Sequence, residues 1–372
     1  MNIAIDGRGI NLYRGTGIGT YTENLIKNLL YLDHENKYNI YWCGNYSEEF
    51  HKDNFNLTMA SQKHHRFFEQ NYFPAHIKRE NTDIYHVPQN GLGLKPLEGC
   101  KSLVTIHDLI PYITPETVGK GYLNKFLKDM PSIMENSDGI ITVSQWSKKD
   151  ILKFFPINED KIFVTPLAAN EKFKVLSKEY CKKILLTKYN INKDFILYVG
   201  GFSLRKNVRT LIDAFIRSFY NFNKNYMLVL PGSIKDEGQK LVDYVSATPL
   251  KDNIKFLGFC DEDMLPILYN GCSLFVYPSL YEGFGLPPLE AMCCGAPVLS
   301  SNLTSIPEVI GNGGITVDPT IDNLSTSMET ILNDDFLQIN LSNAALSRAK
   351  NFSWENTANL TLDVYKTLHE LS

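Results

Sequence analysis

The sequence predicts an α/β protein built from two doubly wound parallel-sheet domains, and three observations lead there. The chain has 372 residues, more than one compact domain usually holds. Short apolar runs alternate with amphipathic segments along nearly all of it, the pattern of βαβ units. The alternation pauses once, between Pro166 and Phe195, and so splits into two series.

The first series of apolar runs is Asn2–Asp6, Tyr38–Cys43, Asp83–Val87, Ser102–His107, Gly139–Ser144 and Lys161–Pro166. The second is Phe195–Gly200, Tyr226–Pro231, Asn253–Gly258, Ser273–Pro278, Pro297–Ser301 and Gly314–Val317. These runs are short and rich in Ile, Val, Leu, Phe and Tyr, as parallel strands covered on both faces are. Helical spacing marks Thr20–Leu32, Ser177–Tyr189, Val208–Tyr220, Asp261–Asn270 and Trp354–Leu371. A hinge is expected near Leu167–Lys174. It gives an amino-terminal domain of residues 1–170 and a carboxyl-terminal domain of residues 171–354, with residues 355–372 packing back across the boundary.

Composition narrows the class. Hydrophobic residues make up 44% and charged residues 21%, which excludes disordered, collagen-like and coiled-coil chains. With 37 basic against 41 acidic residues, nothing suggests a protein that coats nucleic acid. The seven cysteines are odd in number and lack a CxxC pair, so reduced, buried thiols of a cytoplasmic protein are expected. Met1-Asn2-Ile3-Ala4 is not a charged-then-apolar leader, and no run approaches the ~20 apolar residues that span a bilayer.

In open α/β sheets ligands lie beyond the carboxyl ends of the strands, so the loops there carry the chemistry. After the first strand come Asp6-Gly7-Arg8-Gly9 and Arg14-Gly15-Thr16-Gly17-Ile18-Gly19, then a helix. Glycines let backbone approach a ligand, and a helix N-terminus favours an anion, although the spacing is not GxGxxG and a plain turn would read the same. His107, at the end of Thr105-Ile106-His107-Asp108, points to the cleft or caps the next element; no partner stands at metal-binding spacing beside it. Arg205-Lys206-Asn207 precedes the helix at Val208, with Asn207 as its expected N-cap. The helix dipole disfavours cations there, so two of them suggest a bound diphosphate. Most informative is Pro278-Ser-Leu-Tyr-Glu282-Gly-Phe284-Gly285-Leu286-Pro-Pro-Leu-Glu290. A helix is expected to open at Pro287 or Pro288, with Glu290 in its first turn and Glu282 on an open loop. Two carboxylates framing an amide-rich loop suit a ligand with hydroxyls and phosphates.

Together these segments resemble the family 4 retaining glycosyltransferases, whose GT-B fold sets two Rossmann-like domains across a cleft. Glu282-x7-Glu290 with its Gly-Phe-Gly-Leu-Pro interior is similar to the family's signature, and Asn302-Leu-Thr-Ser-Ile-Pro-Glu-Val-Ile-Gly to the segment after it. The Gly15–Gly19 loop, Thr105–Leu109 and Ile141-Thr-Val-Ser-Gln-Trp-Ser match in the amino half. The resemblance implies that Lys206 neutralises the donor diphosphate, Glu282 contacts the transferred sugar and Glu290 holds the ribose. It further implies that Phe284, Gly285 and Leu286 bind sugar and phosphate through their amides. Gly17 and Gly19 would close over the diphosphate, His107 would lie beside the sugar, and Gly258 and Phe259 would edge the base. Many members carry arginine where Gly201 stands, so its task falls here to Arg205.

Such a resemblance implies a metal-independent hexosyl transfer from a nucleotide diphosphate sugar, by attack on the face the leaving group departs from. GDP-mannose is favoured, with UDP- or dTDP-sugars as alternatives, and the acceptor is a glycan or lipid-linked oligosaccharide of a surface polysaccharide. A sugar-nucleotide epimerase and a non-catalytic sugar-binding protein are the competing readings. Acceptor recognition is expected in Tyr46–Asn71 and Tyr112–Lys128, neither of which shows a readable code. Gly121–Met130, with Lys125 and Lys128 beside Leu123, Phe126 and Leu127, is either a core helix or a peripheral membrane contact.

Overall fold

The computed structural model describes residues 1–45, 50, 52–95 and 97–371, apart from the side chains of Gln62 and His65. The start of the expected acceptor loop, residues 46–49 and 51, lies outside them. The chain divides into two compact units, Met1–Ala168 with Ser353–Ser372, and Ala169–Phe352.

The first unit holds a seven-stranded parallel sheet. Its strands are β1 (Asn2–Asp6), β2 (Lys37–Trp42), β3 (Phe55–Met59), β4 (Ile84–Val87), β5 (Lys101–Ile106), β6 (Gly139–Thr142) and β7 (Ile162–Val164), in spatial order β3-β2-β1-β4-β5-β6-β7. The second unit holds β8 (Phe195–Leu197), β9 (Met227–Pro231), β10 (Ile254–Gly258), β11 (Leu274–Tyr277), β12 (Val298–Ser301) and β13 (Ile315–Val317), in the order β10-β9-β8-β11-β12-β13. Every pairing between these strands is parallel. Each sheet therefore reverses its winding once, between β1 and β4 in the first unit and between β8 and β11 in the second.

Twelve of these strands fall on the expected runs, and β3 is an addition. Phe55 is buried while the rest of that strand is partly or fully exposed, as suits the sheet's edge. Its mixed Phe-Asn-Leu-Thr-Met composition does not form the continuous apolar run that marks a doubly covered strand. Helix Lys120–Asn136 buries Phe126, Met130, Ile133 and Met134 in the core of its unit, which is the core-helix reading of that segment. Among the described residues no helix is long and apolar enough to cross a membrane. The seven cysteines are free thiols, six of them buried.

The carboxyl-terminal helix Trp354–Glu370 belongs to the first unit and buries Trp354, Val364, Tyr365 and Leu368. Ser353 caps it by accepting a hydrogen bond from the Asn356 amide at 3.0 Å. Inside, the Tyr365 hydroxyl lies 2.9 Å from His86 Nδ1, and His86 Nε2 lies 2.8 Å from Thr105 Oγ1. Thr105 in turn lies 3.1 Å from the Tyr21 hydroxyl, so buried polar groups on four elements satisfy one another.

Candidate functional site

The winding of the second sheet brings together two loops that are far apart in sequence. Strands β8 and β11 are neighbours, so the loops after them share one end of the sheet. The first contains the single 3₁₀ turn Leu204–Lys206, and the second contains Glu282. Glu282 Oε1 accepts from Lys206 Nζ at 2.6 Å, Ser279 Oγ at 2.5 Å and the Tyr277 hydroxyl at 3.0 Å, and Arg205 Nη1 stands 2.8 Å away. Burial would raise this carboxyl, but the charges of Lys206 and Arg205 and the Ser279 hydrogen bond outweigh it and hold it at about 2. Glu282 Oε2 has no partner among the described residues, so a pinned carboxylate keeps one acceptor oxygen open.

The expected open loop at Glu282 is therefore a buried ion cluster, since Glu282 is only 9% exposed. Its backbone is fixed as firmly as its side chain. Ser305 Oγ donates to the carbonyls of Glu282 and Phe284, each at 2.8 Å, and the Glu282 amide donates to Thr304 Oγ1 at 3.1 Å. Gly285 ends the loop at φ +117°, and a Cβ there would stand 2.8 Å from Ile306 Cδ1. The left-handed backbone is what favours glycine here, since the Ile306 methyl could turn aside.

Helix Leu286–Cys293 then begins with Pro in its first turn and closes at Gly295. The Gly295 amide bonds Met292 O and the Ala296 amide bonds Ala291 O, each at 3.0 Å, the paired bonds of a Schellman ending. Glu290 is the fifth residue of this helix and not in its first turn, so the dipole does not explain it. Burial raises its carboxyl to about 7, although the Tyr269 hydroxyl donates to Oε2 at 2.9 Å. Lys172 and Glu262, themselves paired at 3.0 Å, supply the nearby charges.

Asn207 also departs from expectation. It precedes helix Val208–Ser218 in a left-handed conformation, φ +57°, and makes no side-chain cap. Its amide instead donates to Pro319 O at 3.0 Å and its oxygen accepts from Thr210 Oγ1 at 2.6 Å. At the end of β10, Gly258 has φ +71°, and Phe259 stands 79% exposed, an aromatic face offered to solvent.

In the first unit, Gly17 opens helix Gly17–Leu32, capped by Thr16, whose hydroxyl accepts from the Gly19 amide at 3.4 Å. A Cβ on Gly19 would meet Tyr13 O at 2.3 Å, so close packing alone demands glycine at that position. Tyr21 of the same helix packs edge-on against His107, with ring centroids 4.9 Å apart. His107 Nε2 lies 2.9 Å from Pro88 O, which can only accept, so this nitrogen carries a proton. Burial lowers its pKa to about 4.

The structure thus gathers Arg205, Lys206 and Glu282 into one cluster, and sets Phe284, Gly285, Leu286 and Glu290 on the continuous loop and helix beyond it. Gly258 and Phe259 end another strand of that sheet, and Gly17, Gly19 and His107 belong to the first unit. Sequence reasoning missed the roles of Tyr277, Ser279, Thr304 and Ser305 around Glu282, and of Tyr269 against Glu290. Hydroxyl side chains at the ends of β11 and β12 were the available signal.

Comparison with known proteins identifies this arrangement. The family model "Glycosyltransferase Family 4" matches residues 15–172, and "Glycosyl transferases group 1" matches residues 184–350. The O-antigen chain mannosyltransferase B of Escherichia coli is 31% identical, over 96% of this chain and 97% of that one. The serotype-specific mannosyltransferase WbdA of E. coli is 34% identical over 73% of this chain and 34% of its own length. Among solved structures, sucrose-phosphate synthase of Thermosynechococcus elongatus superposes with a TM-score of 0.77 over 100% of both chains, at 19% identity. With two Rossmann-like parallel sheets and a relative this similar over its full length, the chain belongs to the family 4 glycosyltransferases and has the GT-B fold.

Proposed function

We propose that this glycosyltransferase moves a mannosyl group from GDP-mannose onto a growing surface-polysaccharide glycan, free or lipid-linked, with retention of configuration and without a metal ion. Two relatives at 31% and 34% identity are named as mannosyltransferases, one of them of the O-antigen chain. The observation that carries the reading is the Arg205–Lys206–Glu282 cluster. Two cations against one carboxylate leave a net positive site, suited to a diphosphate whose charge grows as it departs. That is the task a metal ion would otherwise perform.

In this reading the open Oε2 of Glu282 accepts a hydroxyl of the transferred sugar, and Glu290 accepts those of the ribose. The amides of Phe284, Gly285 and Leu286 hold sugar and phosphate, Gly258 and Phe259 edge the base, and Gly17 and Gly19 serve the diphosphate. Neutral His107 stands beside the sugar. The acceptor oxygen forms its bond to the anomeric carbon as the bond to the diphosphate breaks on the same face, and the departing diphosphate takes the acceptor proton. No carboxylate is asked to attack in this reading, because Glu282 and Glu290 are both assigned to hydroxyl hydrogen bonds.

A panel of GDP-, UDP-, dTDP- and ADP-sugars tests the reading. GDP-mannose is expected to raise the melting temperature most and to support transfer in EDTA, giving an α-linked product by NMR. Preference for another donor would overturn the mannosyl assignment, a β-linked product the retaining one, and loss of transfer in EDTA restored by Mg²⁺ the metal independence.

A further inference from the structure

A cavity of about 520 Å³ opens in the second unit, within the size range of small-molecule sites. Asp194, Tyr226, Ser273 and Pro297 line it, and they immediately precede β8, β9, β11 and β12, four adjacent strands of the sheet. The cavity therefore sits at the amino ends of these strands, opposite the loops that carry Lys206 and Glu282. Open α/β sheets hold their principal ligand at the carboxyl ends, so this cavity is distinct from the donor site.

Three lysines line it. Lys178 and Lys182 stand one turn apart on helix Lys178–Tyr189, close enough to share a ligand, and Lys224 is the third. Lys182 Nζ donates to Asp194 Oδ1 and Lys224 Nζ to Asp335 Oδ1, each at 2.8 Å. Lys178 pairs with no carboxylate among the described residues, so one positive charge is left over. Burial would raise Asp194, but its bond to Lys182 and the charges of Lys182, Lys178 and Lys224 hold it below the ordinary carboxylate value. Ser273 supplies an independent observation. It is 6% exposed, lines the cavity, and its hydroxyl has no hydrogen-bond partner among the described residues. Val175, Leu176, Ile339 and Leu346 provide apolar wall.

A spare cation, an unused buried hydroxyl and two carboxylates able to accept hydroxyls suit an anion that itself carries hydroxyls. A sugar monophosphate combines these groups. Two contacts join the cavity to the donor side. Tyr269, which lines the cavity, donates to Glu290 Oε2 at 2.9 Å. Ser342, on the opposite wall, donates at 2.6 Å to the carbonyl of Gly295, the residue that closes helix Leu286–Cys293. That helix carries Glu290, and its eight residues span about 12 Å from the donor loop to the cavity. We infer that this cavity is an effector site for a sugar monophosphate, and that its occupancy changes nucleotide-sugar affinity through Tyr269 and Glu290. The coupling rests on the transferase reading above; the binding does not.

Calorimetric titration of the full chain with mannose 1-phosphate, mannose 6-phosphate and glucose 6-phosphate tests both parts, with mannose and inorganic phosphate as controls. At least one ester is expected to bind wild type about tenfold more tightly than either control. Lys178→Glu and Ser273→Ala should each weaken it about tenfold, and Lys206→Ala should not. Lys178 is exposed at a helix start, where glutamate is favoured, and the Ser273 hydroxyl supports no protein group, so both variants keep the fold. Saturating ester should change the Kd of the most stabilising nucleotide sugar about fivefold, with the reciprocal change in ester affinity. Tyr269→Phe should remove that change and still bind the ester. Failure of every ester to bind wild type, equal binding of inorganic phosphate, or full affinity in Lys178→Glu and Ser273→Ala overturns the site. Loss of ester binding in Lys206→Ala moves the ester to the donor cluster and overturns it as well. An unchanged nucleotide-sugar Kd overturns the coupling alone, and absence of any nucleotide-sugar melting shift in wild type overturns the donor reading instead.

Discussion

One oxygen of Glu282 holds Arg205 and Lys206 in place, so the cations are positioned before any ligand arrives. Preorganisation of this kind lets electrostatic stabilisation act without reorganisation during the reaction. Lys206→Ala is expected to lower kcat roughly 10²–10³-fold while the protein still folds, because Arg205, Ser279 and Tyr277 continue to hold the carboxylate. Initial rates with saturating donor, alongside a denaturant melt, check this; a loss below about tenfold in a folded variant would remove Lys206 from the reaction. Glu282 and Lys206 were legible because each stands in a short local pattern after an apolar run. Their meeting was not, because they are 76 positions apart and only the adjacency of β8 and β11 joins them. Glu69 carries no local pattern at all, and it meets Arg8 across 61 positions.

At the scale of elements, continuous apolar runs located the doubly covered strands, and mixed composition hid β3 at the sheet edge. Helix starts were less legible, since capping depends on backbone conformation as well as residue type. Asn207 sits at a helix start with its side chain turned elsewhere, and Thr16 moves the first long helix forward to Gly17. That start also separates two reasons for glycine. Gly19 touches the Tyr13 carbonyl so closely that Gly19→Ala must shift backbone against backbone. The expected cost is about 1–3 kcal/mol in a urea melt, whatever the residue does for the donor. An unchanged midpoint would mean that the Tyr13–Arg14 turn yields freely and that packing does not explain the glycine.

The whole molecule divides its titrating groups between the two units in a way that its sequence already contains. All eight histidines lie before Ala169 or after Phe352, and so in the first unit. Burial lowers His86 to about 3 and His107 to about 4, and it lowers His76 as well. A histidine with a depressed folded pKa contributes stability that is present above its ordinary value near 6.5 and lost as the pH falls. By pH 5 that loss is about 2 kcal/mol for each of His86 and His107. Glu290 in the second unit runs the other way, because its folded value of about 7 lies above its ordinary 4.5. Its contribution is full below 4.5 and lost as the pH rises towards 7, so acidification strengthens that unit. Glu282, held at about 2, loses its contribution only below 4.5 and does not disturb this window. Scanning calorimetry at pH 7.5 and pH 5 should therefore show the first unit's transition moving down and the second unit's moving up. Glu290→Gln should abolish the upward shift and leave the downward one. Parallel movement of both units, or an upward shift that survives Glu290→Gln, would show that the buried histidines and Glu290 do not set the acid response.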